Sequence, residues 1–330
     1  MTTPLVSVVL CSYNQGPYVA HAVESVLGQT YSNWELVVVD NGSSDDTRSR
    51  LAPYRGDPRI QWLFHDENQP VTRRLNQGIA ASRGDLISLL YSDDYYLPKK
   101  LERQVECFSR LGPDYGVVYS PGFRLDVESG KTALDSSLKV SGDVLEAFLL
   151  RHAEGFVNPI SPLMRRACYE RYPFQEDLFV EGESINLRFA MSFKFFFLDE
   201  PLVVMREHDT NIGKAIPANV DRLMIVLDRL ERHPDLPPAA RSWVVIFRSR
   251  ILRDAGWQGV RVVGDIAWAR ECYRRSVAAH PGQRFHPRVV AGRAIARLPG
   301  PFRGLLNRIG DRLRGRSGPG YVERPDIEVS

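Results

Sequence analysis

The stretch that decides the fold is residues 5–47, which read LVSVVLCSYNQGPYVAHAVESVLGQTYSNWELVVVDNGSSDDT. Two runs within it, residues 5–12 and 34–40, are short, largely apolar and rich in valine, as is typical of strands buried on both faces. Between them, apolar residues recur at helical spacing, and these are Val19, Ala22, Val23, Val26 and Leu27. The order strand, helix, strand predicts two parallel strands joined by a crossover helix.

The same alternation continues along the chain. Further strands are predicted at residues 60–64, 86–91 and 116–120, with helices near 72–81 and from residue 98 onward. This pattern predicts an α/β fold with a doubly wound, mainly parallel sheet. Ligands of such sheets bind at the carboxyl ends of the strands. The polar residues at those ends are Ser12, Tyr13, Asn14, Asp40, Asn41, Ser92, Asp93 and Asp94.

The pattern changes in the second half of the chain. Residues 126–143 are polar and predict a flexible loop, a helix is expected near 184–192, and strands are expected at 161–164, 193–198 and 202–205. From about residue 217 the apolar spacing is helical. We therefore expect a sheet-containing domain over residues 1–215, a helical region over 216–298, and a basic amphipathic helix with a disordered tail over 299–330.

Composition narrows the class of protein. The chain has 330 residues, 43% of them hydrophobic, and a net charge of +3, which excludes a fibrous chain and a surface dedicated to nucleic acid. No stretch approaches the roughly 20 apolar residues that span a bilayer, and no basic segment precedes the first apolar run, so we expect a cytoplasmic protein. The four scattered cysteines predict reduced thiols rather than disulfides or a zinc site.

The common nucleotide-binding glycine loops are missing from the sequence, since neither GxxxxGK[ST] nor GxGxxG follows the first strand. A divalent cation that bridges phosphates to carboxylates is the natural substitute, because hard cations prefer oxygen ligands. Asp93 and Asp94 follow the fourth strand, and adjacent carboxylates repel unless they are solvated or bridged by a cation. The simpler alternative is an acidic turn that caps the next helix.

Several ordered blocks together resemble a known family. Residues 7–31 and 34–47 resemble the opening of the inverting, nucleotide-sugar-dependent glycosyltransferases of family 2, which have the GT-A fold. Residues 75–106 (LNQGIAASRGDLISLLYSDDYYLPKKLERQVE) match the next block of that family, and similarity continues to about residue 211. The resemblance implies sugar transfer from a UDP, GDP or dTDP donor to a hydroxyl of a saccharide, lipid-linked or small-molecule acceptor, with inversion and with Mn²⁺ or Mg²⁺. The product would be a polysaccharide, a glycolipid or another glycoconjugate.

The resemblance also implies roles for individual residues. Ser12 and Tyr13 would flank the base, with the ring of Tyr13 stacked on it, and Asp40 would accept a hydrogen bond from the base or ribose. Asp93 matches the metal-binding aspartate, and His208 matches a histidine that completes metal or diphosphate binding. The remaining positions that the match assigns to the site are Asn14, Asn76, Ser92 and Arg206, with Asp94 near the sugar or the metal.

Two positions depart from the family pattern. Tyr91 replaces the first aspartate of the family's D-x-D motif. Ser184 replaces the aspartate that usually deprotonates the acceptor, and serine is no general base near neutral pH without help. The next acidic position is also lost, because it is Asn186. The candidate bases are Glu183 first, and then Glu181 and Asp177, while the simpler alternative for all three is a solvated acidic loop.

Two other functions stay open, and Ser184 and Asn186 motivate the first of them. One is a catalytically impaired member that binds a nucleotide sugar without transferring it. Another is a nucleotidyltransferase, which uses a similar sheet and metal but normally has a glycine-rich basic loop where this chain has CSYNQGPY.

The end of the chain is basic. Residues 284–316 contain nine arginines and a single acidic residue, and their apolar positions 302, 305, 306, 309 and 313 form one helical stripe. Residues 299–316 therefore predict an amphipathic helix that either binds an anionic membrane at its inner face or docks on the catalytic domain. Nucleic acid is excluded as a partner because the basic charge is confined to one end and lacks interleaved aromatic residues.

Overall fold

The computed structural model describes residues 3–209, 211, 215–300 and 302–303, except for the side chain of Glu183. The chain divides into two compact units between His208 and Asp209. This division lies a few residues before the boundary expected near residue 215. The first unit contains both sheets, and the second is helical, as the sequence predicts.

The first unit is an α/β fold. Its strands in chain order are β1 (Val6–Ser12), β2 (Trp34–Asn41), β3 (Ile60–His65), β4 (Leu86–Tyr91), β5 (Tyr95–Tyr96), β6 (Tyr115–Tyr119), β7 (Phe123–Asp126), β8 (Thr132–Leu134), β9 (Leu163–Arg165), β10 (Lys194–Phe197) and β11 (Val203–Glu207). Its helices are α1 (Gly16–Leu27), α2 (Thr47–Leu51), α3 (Val71–Ala81), α4 (Lys100–Arg110), α5 (Leu145–Leu150), α6 (Arg166–Arg171) and α7 (Ile185–Phe189).

The larger sheet has seven strands in the order β10-β6-β9-β4-β1-β2-β3. Each neighbouring pair is parallel except for the two pairs that contain β9, which runs antiparallel to β4 and β6. The predicted mainly parallel sheet is confirmed. A smaller sheet has the order β5-β11-β7-β8, and it brings the end of β11 beside the chain that leaves β4.

One local prediction is wrong. Residues 126–143 were expected to form a flexible loop, but Thr132–Leu134 forms β8, which pairs antiparallel with β7. The strand lacks an apolar run of its own because it is only three residues long. Pairing with β7 stabilises it, and a pairing across the chain leaves no local pattern in the sequence.

The core explains why β1 is apolar at nearly every position. Alternate residues of a strand face opposite sides of the sheet. Val8 belongs to the same buried cluster as Val23 of α1, whereas Val9 contacts Gly78 of α3. A Cβ on Gly78 would lie 2.5 Å from the Val9 side chain, so glycine is required for α3 to pack this closely.

The second unit is a set of packed helices. They are α8 (Ile216–Glu231), α9 (Ala240–Gln258), α10 (Ile266–Ala279) and α11 (Pro287–Ile295), with a π-helical turn at Gly259–Val263. Tyr273 of α10 is fully buried against Gly292 of α11, where a Cβ would lie 1.8 Å from the tyrosine hydroxyl oxygen. Within the described part of the chain, we find no helix with the length and apolarity needed to cross a membrane.

The core of the first unit also contains a buried lysine. Lys100 begins α4, and its Nζ donates to Ser88 Oγ at 2.7 Å and to Gln104 Oε1 at 2.9 Å. The same Nζ lies 4.3 Å from the centre of the Tyr96 ring. Burial lowers the pKa of Lys100 well below its ordinary value, because the ammonium group is removed from water without an opposite charge beside it.

This lysine makes stability depend on pH. Between the lowered native pKa and the unfolded value of about 10.4, the unfolded chain binds more protons, so the free energy of unfolding rises with pH. We expect Lys100→Met to remove this rise, by up to about 1.4 kcal/mol per pH unit, because methionine fills similar volume without a charge. Urea unfolding of both proteins from about pH 6 to about pH 9 tests this, and parallel stability curves would contradict it.

Candidate functional site

The parallel register places the ends of β1 and β2 side by side. Ser12 lies directly opposite Asp40 in the register, and both side chains are buried. Asp40 Oδ2 accepts hydrogen bonds from Arg48 Nε at 2.6 Å and from the backbone of Ser43 at 3.3 Å. In contrast, Asp40 Oδ1 and Ser12 Oγ are buried with no partner among the described residues. A buried polar atom without a hydrogen-bond partner lowers the stability of the fold. We therefore interpret Ser12 Oγ and Asp40 Oδ1 as atoms that hydrogen bond to a ligand.

Asn14 ties the loop after β1 to the turn after β2. Its backbone has a positive φ of 51°, which asparagine tolerates better than most residues. Its side-chain oxygen accepts from Ser44 N at 2.8 Å, and its own backbone N donates to Ser43 Oγ at 2.9 Å. The amide oxygen of Asn14 is therefore used within the protein. Its neighbour Tyr13 is 40% exposed, so its ring is accessible beside the unpartnered pair.

The same turn caps α1. The first backbone N–H groups of this helix find acceptors in Thr47 Oγ1, at 2.8 Å from Gln15 N, and in Asp45 Oδ2, at 3.0 Å from Gly16 N. A Cβ on Gly16 would lie 1.7 Å from Asp46 Oδ1, so a larger residue here would have to displace the Asp46 carboxylate. The sequence DNGSSDD thus serves the fold as a helix cap as well as supplying Asp40.

The turn after β4 brings Asp93 and Asp94 to the end of β11. His208 Nε2 lies 3.2 Å from Asp93 Oδ2, so the two predicted metal ligands are neighbours. Asp94 is buried, and its Oδ1 accepts from the backbone N–H of Arg206 at 2.8 Å. Burial and the adjacent Asp93 raise the pKa of Asp94 well above its usual value, because a second negative charge is unfavourable there.

Arg206 clamps this turn. Its guanidinium donates to the backbone carbonyl of Asp93 at 2.7 Å and to Nδ1 of His21, and it lies 4.6 Å from the centre of the Tyr95 ring. The ring of Tyr18 stacks on that of His208 at 5.2 Å. The predicted donor-site residue Arg206 therefore holds the acidic turn by both its backbone and its side chain.

Two predicted donor-site residues have other surroundings. Asn76 is hydrogen bonded to the backbone of Phe174 in both directions, at 2.9 and 3.0 Å, and to Glu176 at 3.1 Å. Its amide thus fixes the segment at residue 174, and its assignment to the nucleotide stays a prediction. Ser92 is buried in the turn after β4, and its role also stays a prediction.

Of the three acidic residues of this loop, Glu181 departs from the solvated alternative. Glu181 is fully buried, where it pairs with Arg188 through contacts of 2.6 and 2.8 Å and accepts from Gln175 N at 3.0 Å. Because the Glu181 carboxylate is buried and its oxygens are used by Arg188 and Gln175, an acceptor hydroxyl cannot reach it, and Glu181 is not retained as a candidate base. Asp177 is exposed, and the side chain of Glu183, at the 3₁₀ turn before α7, lies outside the described residues.

Sequence reasoning missed several residues around the site. Arg48 neutralises one oxygen of Asp40, and no motif marks a pair eight residues apart. Arg74 donates to Asn41 Oδ1 at 2.7 Å and to the carbonyl of Glu67 at 2.7 Å. An open cavity of about 410 Å³ lies here, beyond the end of β3, and His65, Arg73, Arg74 and Gln77 are among its lining residues.

This arrangement is typical of nucleotide-binding α/β proteins, because polar side chains meet at the carboxyl edge of a parallel sheet. The sequence profile described as Glycosyl transferase family 2 matches residues 7–171 of the chain. An uncharacterized glycosyltransferase of Rickettsia bellii is 30% identical over 226 residues, which make up 66% of this chain and 32% of that protein. The chain thus spans about a third of that relative's length.

Solved structures share the fold. TarS of S. aureus, residues 1–349 in complex with UDP, superposes with a TM-score of 0.61 at 16% identity, over 88% of this chain and 87% of that one. The mannosyltransferase PcManGT of Pyrobaculum calidifontis, in complex with GDP-Man and Mn²⁺, gives a TM-score of 0.57 at 18% identity, over 94% of this chain and 88% of that one. The chain belongs to glycosyl transferase family 2 and has the GT-A fold.

The unpartnered pair generates a prediction about Ser12. We expect Ser12→Ala to leave the free protein as stable as wild type or more stable, by up to about 1 kcal/mol, because it removes a buried hydroxyl without a partner. The same change should weaken binding of a nucleoside diphosphate by about tenfold, the value of one hydrogen bond. Urea unfolding and titration calorimetry with UDP and GDP measure the two effects.

Ser7 on the same strand provides the matched control. Its hydroxyl is buried but satisfied, since it donates to Glu35 at 2.7 Å and accepts from Gly84 N at 2.8 Å. Ser7→Ala should therefore destabilise the protein by about 1–3 kcal/mol and leave nucleotide affinity unchanged. If Ser12→Ala behaved like this control, the unpartnered pair would not be part of the nucleotide site.

Proposed function

We propose that the chain is a metal-dependent inverting glycosyltransferase that moves a sugar from a nucleotide-sugar donor to an acceptor hydroxyl. One observation carries the proposal: the carboxyl edge of the larger sheet has unpartnered polar atoms of Ser12 and Asp40, and Asp93, which follows β4 at the same edge, is paired with His208 at the end of β11 of the smaller sheet. The first pair suits a nucleoside and the second suits a diphosphate with its cation. The neighbours with this fold were solved with UDP and with GDP-Man, which supports a nucleotide-sugar donor, and the proposed donor is of the UDP, GDP or dTDP type.

The residues at the second place fit a divalent cation. A carboxylate oxygen of Asp93 and an imidazole nitrogen of His208 are ligands that suit Mn²⁺, with Mg²⁺ as the alternative. Among the described residues, no group of three His, Cys, Asp or Glu side chains comes together, so donor phosphates and water would supply the other ligands. Such an ion, when bound, neutralises the charge that develops on the leaving nucleoside diphosphate. The neighbour bound to Mn²⁺ supports this choice.

Different residues of the chain would bind the nucleoside, position the acidic turn and accept the proton. Tyr13, Ser12 and Asp40 would hold the nucleoside, and Arg206 keeps the turn of Asp93 and Asp94 in place. The acceptor hydroxyl would attack the anomeric carbon from the face opposite the diphosphate, which inverts that centre. Its proton would pass to Glu183, which lies on the 3₁₀ turn that precedes α7.

An impaired, donor-binding protein remains the second candidate. It is favoured by Ser184 at the family's catalytic position, whose hydroxyl donates to the backbone of Glu181 at 2.5 Å, and by the burial of Asn186. Incubation with a panel of UDP-, GDP- and dTDP-sugars separates the two functions. Hydrolysis or transfer of one donor supports the enzyme, and saturable binding of a donor without turnover supports the impaired protein.

The acceptor and the location are also proposals. A saccharide, a lipid-linked saccharide or a small molecule would supply the hydroxyl, in the synthesis of a polysaccharide, glycolipid or other glycoconjugate. We propose a cytoplasmic location at the inner face of the membrane. The predicted membrane helix at residues 299–316 lies outside the described residues except at 299, 300, 302 and 303.

Metal dependence can be tested through donor binding. We expect Asp93→Asn to abolish the increase in UDP or GDP affinity that Mn²⁺ produces, because an amide is a poor substitute for a charged oxygen ligand. His208→Ala should reduce the increase less, since water can replace one neutral ligand. Titration calorimetry with and without Mn²⁺ measures the increase in UDP or GDP affinity for each variant. Asp199→Asn is the control, because Asp199 is an exposed carboxylate paired with Lys139. An unchanged Mn²⁺ effect in Asp93→Asn would refute the assignment.

The catalytic base gives a separate prediction. Glu183→Gln keeps the size of the side chain and removes its basic oxygen, so we expect kcat to fall by at least about a hundredfold with little change in donor affinity. Ser184→Asp should raise the rate or rescue Glu183→Gln, because it restores the family's carboxylate. Asp177→Asn tests the remaining candidate base of the same loop, and we expect it to leave kcat nearly unchanged. A nearly normal kcat for Glu183→Gln would mean that another group accepts the proton.

A further inference from the structure

The second unit concentrates positive charge toward its end. Residues 259–303 contain nine arginines and two acidic residues, although the whole chain has a net charge of only +3. The arginines are Arg261, Arg270, Arg274, Arg275, Arg284, Arg288, Arg293, Arg297 and Arg303. A segment this basic on a nearly neutral chain suggests a local partner with negative charge.

Helix α11 has apolar residues on both of its faces. Its inward face is formed by Val289 and Gly292, followed by Ala296 just after the helix, and these are buried in the second unit. Successive positions of a helix turn by about 100°, which places Val290, Ala291 and Ala294 together on the opposite side. These three are exposed, and Val290 is 54% exposed. A globular surface helix normally has polar residues on this side.

Arginines border the exposed stripe. The helical turn places Arg293 and Arg297 along one edge of it and Arg288 along the other. Arg288 is paired with Asp254 at 2.7 Å, whereas Arg293 and Arg297 have no carboxylate partner within the described part of the chain. Their charge is therefore available to a partner of the exposed face.

Exposed aromatic side chains lie on either side of α11 in the sequence. Phe285 is 73% exposed, with the guanidinium of Arg284 at 4.8 Å from its ring centre, and Phe302 is 60% exposed. Aromatic and aliphatic groups bordered by arginines are the composition that enters the headgroup region of a bilayer, where apolar groups reach the acyl chains and arginines reach the phosphates.

We propose that the exposed face of α11, with Phe285 and Phe302, docks on an anionic lipid bilayer. A second copy of the chain fits this face poorly, since the unpaired arginines of the two copies would repel each other. Phe285 and the exposed face of α11 precede the predicted tail helix of residues 299–316, whereas Phe302 belongs to both the surface and that predicted helix. The proposal does not depend on the identity of the donor.

Vesicle binding by the full chain tests the proposal. The probes are vesicles of equimolar phosphatidylglycerol and phosphatidylcholine, and vesicles of phosphatidylcholine alone, with bound protein measured by co-sedimentation at low and high salt. We expect binding to the anionic vesicles, weakened by salt, because exposed charges are screened. A triple variant of Arg284→Gln, Arg293→Gln and Arg297→Gln should bind about a hundredfold more weakly, since each arginine near an anionic surface contributes about fivefold.

Control variants distinguish the effect of the α11 surface from the effect of total charge. Arg50→Gln, Arg110→Gln and Arg151→Gln together remove the same charge from exposed positions of the first unit, and this control should bind like wild type. Val290→Asp keeps every arginine and places a carboxylate on the apolar stripe. We expect this variant to bind the anionic vesicles more weakly than wild type. All changed side chains are exposed or half-exposed, so the melting temperatures should stay close to that of wild type.

Several outcomes would overturn the proposal. Equal weakening by both triple variants would mean that only net charge matters, and unchanged binding by the α11 variants would assign any binding to another segment. If the wild-type chain failed to bind anionic vesicles and light scattering showed a dimer that Val290→Asp dissociates, the face would be an interface between two copies.

Discussion

The candidate site depends on the parallel register of three buried strands. Because β1 lies between β2 and β4, the chain leaves all three strands at the same edge of the sheet, although the strands are far apart in sequence. Ser12 is thereby placed opposite Asp40, and the turn of Asp93 and Asp94 follows on the other side of β1. The near-continuous apolar character of the strands reflects their burial on both faces of the sheet.

The loops at this edge are held by side chains that take no part in the sheet. Asn14 connects the loop after β1 to the turn after β2, and Arg206 connects the end of β11 to the turn after β4. Each makes several hydrogen bonds within the protein. Ser12 Oγ and Asp40 Oδ1, at the ends of β1 and β2, are buried without a partner among the described residues, and a ligand can supply the hydrogen bonds that the fold does not.

The sequence predicts the strands and turns that are determined by residues close together in the chain. The runs that became β1, β2 and β4 are apolar enough to show buried strands, and the polar residues at their ends can be read directly from the sequence. It could not predict β8, whose three residues depend on pairing with β7. Nor could the sequence show that Glu181 is buried against Arg188. The same local sequence is compatible with an exposed acidic loop and with a buried ion pair. Pairings between distant segments decide such cases.

The central claim is that the nucleoside and the cation of the donor occupy two defined places on one sheet edge. Crystals grown with Mn²⁺ and a nucleoside diphosphate, measured at the manganese absorption edge, test it most directly. The account predicts an anomalous peak for an Mn²⁺ ion that Asp93 and His208 bind, with the base or ribose hydrogen bonded to Asp40 and Ser12. A manganese peak away from Asp93, or a nucleotide bound elsewhere on the protein, would contradict it.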